Sequence, residues 1–138
     1  MSEPVILSDS DDASIRDAAA LLDSWTVVVR PARDLATAFE ETPNVRVVVT
    51  TTENPNALRD VVDRARALSM PVVVGCPSET ARRRAIELRV DEWFLLPASA
   101  EEIAARIRSA LAGMAPAAAA LADRVEREIG RASCRERV

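Results

Sequence analysis

The chain has 138 residues, the size of one domain with a sizeable buried core. All 18 basic residues are Arg, and with neither Lys nor His there is no lysine Schiff base, no imidazole base and no histidine-ligated metal. The net charge of −4 argues against nonspecific nucleic-acid binding.

Five short, Val-rich runs alternate with helical periods along the chain. The first run is Val5-Ile6-Leu7, followed by Ser8 and Asp9. Asp11 and Asp12 suit a helix N-cap, and Ile15, Ala19 and Leu22 then share one face. Thr26 to Val29 is the second run, and Ala36 and Phe39 anchor a short second helix. Val45 to Val49 is the third, ending at Thr50 and Thr51. Asn54-Pro55-Asn56 signals the start of a third helix, with Ala57, Val61, Ala65 and Leu68 inward. Pro71 to Val74 is the fourth run, ending at Gly75 and Cys76. Behind Ser78, a fourth helix faces inward with Ala81, Ala85 and Leu88. Trp93 to Leu96 is the fifth run, followed by Pro97. Ser99-Ala100-Glu101-Glu102 is a capping box that opens a fifth helix, with Ile103, Ile107 and Leu111 on one face and Gly113 at its end.

Runs this short and continuous are the pattern of strands buried on both faces. Strand and helix in strict alternation, joined by right-handed crossovers, give an α/β fold: a doubly wound five-stranded parallel sheet. The flavodoxin-like (βα)5 order 2-1-3-4-5 is the expected arrangement. Residues 1–114 form this domain, and 115–127, with Ala117, Leu121 and Val125, form a linker or extra helix. No apolar stretch is long enough to span a bilayer and no secretory signal is visible, so a cytoplasmic protein is expected. Cys76 and Cys134 give no reason to invoke a disulfide.

Residues 128–138, Glu-Ile-Gly-Arg-Ala-Ser-Cys-Arg-Glu-Arg-Val, resemble the translation of a common short-read sequencing adapter. On that reading the segment is an artefactual tail, and the natural chain is expected to continue past Arg127 as the front end of a longer regulator.

In an open parallel sheet, ligands and reacting groups gather beyond the carboxyl ends of the strands. Those ends carry Ser8 and Asp9, Thr50 and Thr51, Gly75 and Cys76, and Leu96 and Pro97. The order of runs and these junctions resemble the receiver domain of response regulators, over residues 4–112. The resemblance implies an acidic pair after strand 1, a phospho-accepting Asp ending strand 3, Ser or Thr ending strand 4 and Lys-Pro ending strand 5. It also implies Mg²⁺ at the acids and a switch aromatic on strand 5. Asp9 with Asp11, or Asp11 with Asp12, falls at the acid positions, and Trp93 at the aromatic. Thr50 or Thr51 falls at the phospho-acceptor, Cys76 at the hydroxyl and Leu96 at the Lys, while Pro97 is retained. An acyl phosphate needs a carboxylate, so the resemblance implies a pseudo-receiver: a phosphorelay-type, two-component fold without phosphorylation.

The expectation is therefore a non-enzymatic module of a signalling protein that binds no cofactor, Mg²⁺ being doubtful. Asp9, Asp11 and Asp12 are expected to cap the first helix and face water rather than hold a metal. Partners would be another signalling protein, an output domain of the same chain, or a second copy through helix 4, strand 5 and helix 5; neither nucleic acid nor membrane is expected. Arg82, Arg83, Arg84 and Arg89, grouped on helix 4, and Trp93 are the candidate interface. They equally suit a solvated face, with Glu79 and Glu87 pairing Arg83 and Arg84. The rival is a Cys76-dependent phosphatase or reductase, since Cys76 to Arg82 has Cys-x5-Arg spacing between a strand and a helix. Pro77, which lacks an N–H to cradle phosphate, and the absence of Gly from that loop count against it.

Overall fold

The computed structural model describes residues 4–113. The elements are β1 (Val5–Ser8), α1 (Ala13–Leu21), β2 (Thr26–Val29), a 3-10 turn (Ala32–Asp34) running into α2 (Leu35–Glu41), β3 (Val45–Thr50), α3 (Pro55–Ala67), β4 (Val72–Cys76), α4 (Glu79–Glu87) and β5 (Glu92–Leu95). A last helix, α5, covers residues 100–113. The strands form one sheet in the order β2-β1-β3-β4-β5, every pair parallel. This is the flavodoxin-like α/β architecture that the alternation predicts. The proposed helix at 115–127, the adapter-like segment 128–138 and Cys134 lie outside the described residues.

Successive side chains of a strand point to opposite faces, and that splits the core into two layers. Ile6, Val47, Val49, Val73 and Phe94 pack with Ile15, Ala18 and Ala19 of α1 and Ile103 and Ile107 of α5. Leu7, Val48, Val72 and Val74 pack with Leu35 and Ala38 of α2, Leu58, Val61 and Val62 of α3 and Ala81 and Ala85 of α4. Consecutive valines in β3 and β4 therefore serve different layers, which is why these strands lack polar alternation.

Helix starts follow their capping chemistry. Asp12 accepts from the N–H of Ser14, Asn54 from Asn56 and Ala57, Ser78 from Ala81, and Ser99 Oγ from Glu102 N.

Several local expectations need correction. Only β1 and β4 are buried throughout their length. β2 and β5 are the sheet edges, so Thr26 and Leu95 are exposed. β5 runs Glu92–Leu95, which places Leu96 in the following loop. In α2 the buried residues are Leu35 and Ala38, one position before the expected pair. In α3, Leu58 and Val62 join Val61 and Ala65 inside, whereas Leu68 is the C-cap and is exposed. Gly113 is helical and is the last of the described residues. In α2 and α3 the inward face is displaced by one residue, because a helix with Ala on several sides fits two faces equally well.

Candidate functional site

The β1–α1, β3–α3, β4–α4 and β5–α5 loops meet at the carboxyl edge of the sheet, and the three acids of the first loop diverge there. Asp12 caps α1, and Asp11 pairs with Arg16 in solvent. Asp9 departs from the expected role: it does not cap α1 but reaches across to the end of β3. Thr50 Oγ1 donates to Asp9 Oδ2 at 3.0 Å, and the Thr51 N–H donates to Asp9 Oδ1 at 2.9 Å. Thr50 is fully buried, and its hydroxyl also accepts from the Thr52 N–H at 3.3 Å. Both oxygens of the partly buried carboxylate thus already hold a donor. Beneath it, the buried Ser8 accepts through Oγ from the Ser10 N–H at 3.1 Å. Among the described residues, no group of three or more Asp, Glu, His or Cys is placed to hold a metal ion.

The other side of the edge is mixed, with Ser10, Asp12 and Ser14 facing apolar residues of the β5–α5 side. Leu96 stands beside Thr51, Pro97 and Ile103 around a small pocket, and the Leu96–Pro97 bond is cis. No basic side chain lines that pocket. Gly75 has a specific packing reason: a Cβ there would meet the Phe94 ring at 2.9 Å and Thr51 Cγ2 at 3.0 Å. Phe94 and Thr51 therefore close together over the end of β4. Ser8 and Gly75 lie at the strand ends named from the sequence, whereas Phe94, whose ring closes on Gly75, is a part of the site that residue-type reasoning missed.

Cys76 is 1% exposed and packs in the α2–α3–α4 layer. Burial pushes its thiol pKa up, partly countered by the nearby Arg82 guanidinium. A nucleophilic thiolate needs the opposite shift and an open approach. Arg82 does not face an anion site. It pairs with Glu79 and lies over the Trp93 ring, 5.5 Å from the centroid. That pairing holds the Glu79 carboxyl below its ordinary pKa and raises that of Arg82. Trp93 is partly buried against the same layer as Cys76.

The basic cluster divides. Arg83 approaches Glu79 at 3.7 Å, whereas Arg84 turns to the backbone carbonyl of Glu53 at 3.5 Å rather than to Glu87. Arg89 is not on α4 at all; it lies beyond the Leu88 C-cap, in the left-handed region at φ 58°. Helix 4 thus carries three of the four arginines.

Solved structures share this fold. A response regulator from Thermotoga maritima superposes with TM-score 0.65 at 12% identity, over 80% of this chain and 99% of its own. An orphan response regulator of H. pylori gives 0.61 at 18% identity, over 78% and 96%. The CheY-like protein tadZ from Pseudomonas aeruginosa PAO1 gives 0.59 at 15% identity, over 76% and 97%. No protein-family model matches the chain, and no curated protein matches its sequence. The chain has the receiver fold. Among the described residues, no helix is long and apolar enough to cross a membrane.

Proposed function

We propose that the domain is a pseudo-receiver: a module of a signal-transduction protein that takes no phosphoryl group and works through protein–protein contact. The observation that carries this is the turn of Asp9 toward Thr50 and Thr51, each of which donates a hydrogen bond to one of its oxygens. A receiver-type phosphoryl transfer needs a free carboxylate nucleophile, a cation at the acids and a positive group over the developing charge. Here the end of β3 offers hydroxyls in place of a carboxylate, and the one inward acid is occupied by neutral donors. Leu96 supplies no charge. The receiver fold is retained, and without transfer chemistry its use is as a surface.

The face formed by α4, β5 and α5 suits that use. Leu95 of β5 is 52% exposed and Ile86 of α4 47%, and α4 and β5 also carry Arg83 and the stacked pair Arg82 and Trp93. The partner is another signalling protein, an output domain of the same chain, or a second copy. The buried Cys76 does not favour the enzymatic alternative.

The test uses the full chain with Trp25→Phe, so that Trp93 alone reports. Mg²⁺ with beryllofluoride, a mimic of the acyl phosphate, is titrated while emission is followed. A flat response is expected. A saturable change in emission would overturn the proposal.

A further inference from the structure

At the opposite end of the sheet, a pocket opens between the end of α3 and the starts of β4 and β5. Its floor is apolar, made by Val62, Met70, Val72 and Val90, and its rim carries Arg66 and Arg89. The volume is about 210 Å³. Small-molecule sites run from roughly 300 to 1,000 Å³, so this space suits one side chain of a partner better than a metabolite.

The charges around it have distinct duties. Asp91 is tied down, since its Oδ2 accepts from the Val72 N–H at 2.8 Å. Arg66 is also committed, donating to the carbonyls of Leu88 and Arg89 and so neutralising the end of α4. Arg89 is different. It is exposed, and its guanidinium has no hydrogen-bonding or ion-pair partner among the described residues. Arg89 holds a positive φ of 58°, and Ser69 across the rim holds 54°. A non-glycine residue in that region costs free energy, and such residues persist where the surroundings impose them.

We infer that this pocket docks a partner segment that inserts one large aliphatic side chain and sets a carboxylate beside it for Arg89. Charge complementarity at the rim selects the occupant: an exposed guanidinium without a partner among the described residues, beside an apolar hole, favours a single acid next to an apolar residue. The inference rests on the proposal that the domain acts by protein contact. It places a contact at the amino ends of the strands, where the α4–β5 loop meets the end of α3.

The test is an amide chemical-shift titration of the full chain with the capped peptide Gly-Asp-Leu-Asp-Gly. Saturable shifts are expected at Val62, Met70 and Val90, with dissociation in the millimolar range. Replacing the peptide Leu by Ser should abolish them. Arg89→Gln should weaken binding about three- to fivefold, the range of an exposed ion pair. Arg89→Gly should weaken it as much while relaxing the backbone, so that lost binding cannot be lost folding. Absence of saturation up to about 10 mM, or shifts indifferent to the Leu or to Arg89, would overturn the inference. That failure together with a flat beryllofluoride titration would leave the pseudo-receiver proposal standing; a beryllofluoride response with intact peptide binding would do the reverse.

Discussion

Thr50 and Asp9 are 41 residues apart in sequence, and their side chains meet at 3.0 Å across the β1–β3 edge. The hydroxyl is fully buried, so its bond is made largely out of water. A hydrogen bond to a charged group contributes about 1.5–3 kcal/mol, and deleting one partner leaves the other unsatisfied. Thr50→Val keeps the shape and should lower stability by about 1–3 kcal/mol in urea unfolding, with the m-value unchanged. Combined with Asp9→Ala, the two losses should fall short of additivity by about 1 kcal/mol. Strict additivity would show that the two residues do not act as a pair.

Cys76 is expected to behave as a core residue. Its thiol pKa lies above the ordinary 9.0 because burial disfavours the thiolate. The native state therefore holds its proton to higher pH than the unfolded chain does. The stabilisation is complete below pH 9 and is lost as pH rises through the folded pKa. In a Cys134→Ser background, a thiol-reactive disulfide reagent at pH 8 should label the native protein far more slowly than the urea-unfolded chain. Equal rates would mean an open thiol, and would revive the phosphatase reading.

Arg82 joins two neighbours, the Glu79 carboxylate and the Trp93 ring. A cation over an aromatic face holds the ring against its own strand and keeps water from one side. In the Trp25→Phe background, Arg82→Gln should red-shift Trp93 emission, and Glu79→Gln should do so less. Glu79 titrates below its ordinary value, so it remains paired as pH falls past 4.5 and releases Arg82 only lower. An acid titration of Trp93 emission should therefore show its step below pH 4.5, absent from Glu79→Gln. A step at the same pH in both proteins would place the titrating group elsewhere.

Strand order and helix caps were legible because each follows from local chemistry: valine runs, Asp12, Asn54, Ser78 and Ser99. The inward faces of α2 and α3 were off by a residue, since alanines leave the hydrophobic stripe without a sharp edge. The site was legible as a set of positions but not as a set of contacts. Nothing in the string Ser8-Asp9-Ser10-Asp11-Asp12 says which acid turns inward. That is decided by Thr50 and Thr51, whose donors arrive only once β1 and β3 pair. Arg89 was grouped with its sequence neighbours because the Leu88 cap was not foreseen. The Cβ clash at Gly75 depends on the Phe94 ring from the next strand, and Gly75→Ala should cost about 1–3 kcal/mol as an overpacked position.

The turns before β2, β3, β4 and β5 are made without glycine. Asp23, Ser24, Asn44, Ser69 and Arg89 all adopt positive φ, at 67°, 60°, 66°, 54° and 58°. Glycine is the residue that takes this conformation without steric cost, and Asn tolerates it better than Ser or Arg do. The chain has only three Gly, none of them at these turns. Ser69→Gly should therefore stabilise the domain, the relief of about 1–2 kcal/mol of strain being offset in part by a more flexible unfolded chain. Asn44→Gly should be close to neutral. Thermal unfolding of the two variants side by side checks this: Ser69→Gly is expected to unfold higher than the parent and Asn44→Gly within a degree or so of it. A fall in both would mean that these side chains hold their turns through contacts outweighing the backbone cost.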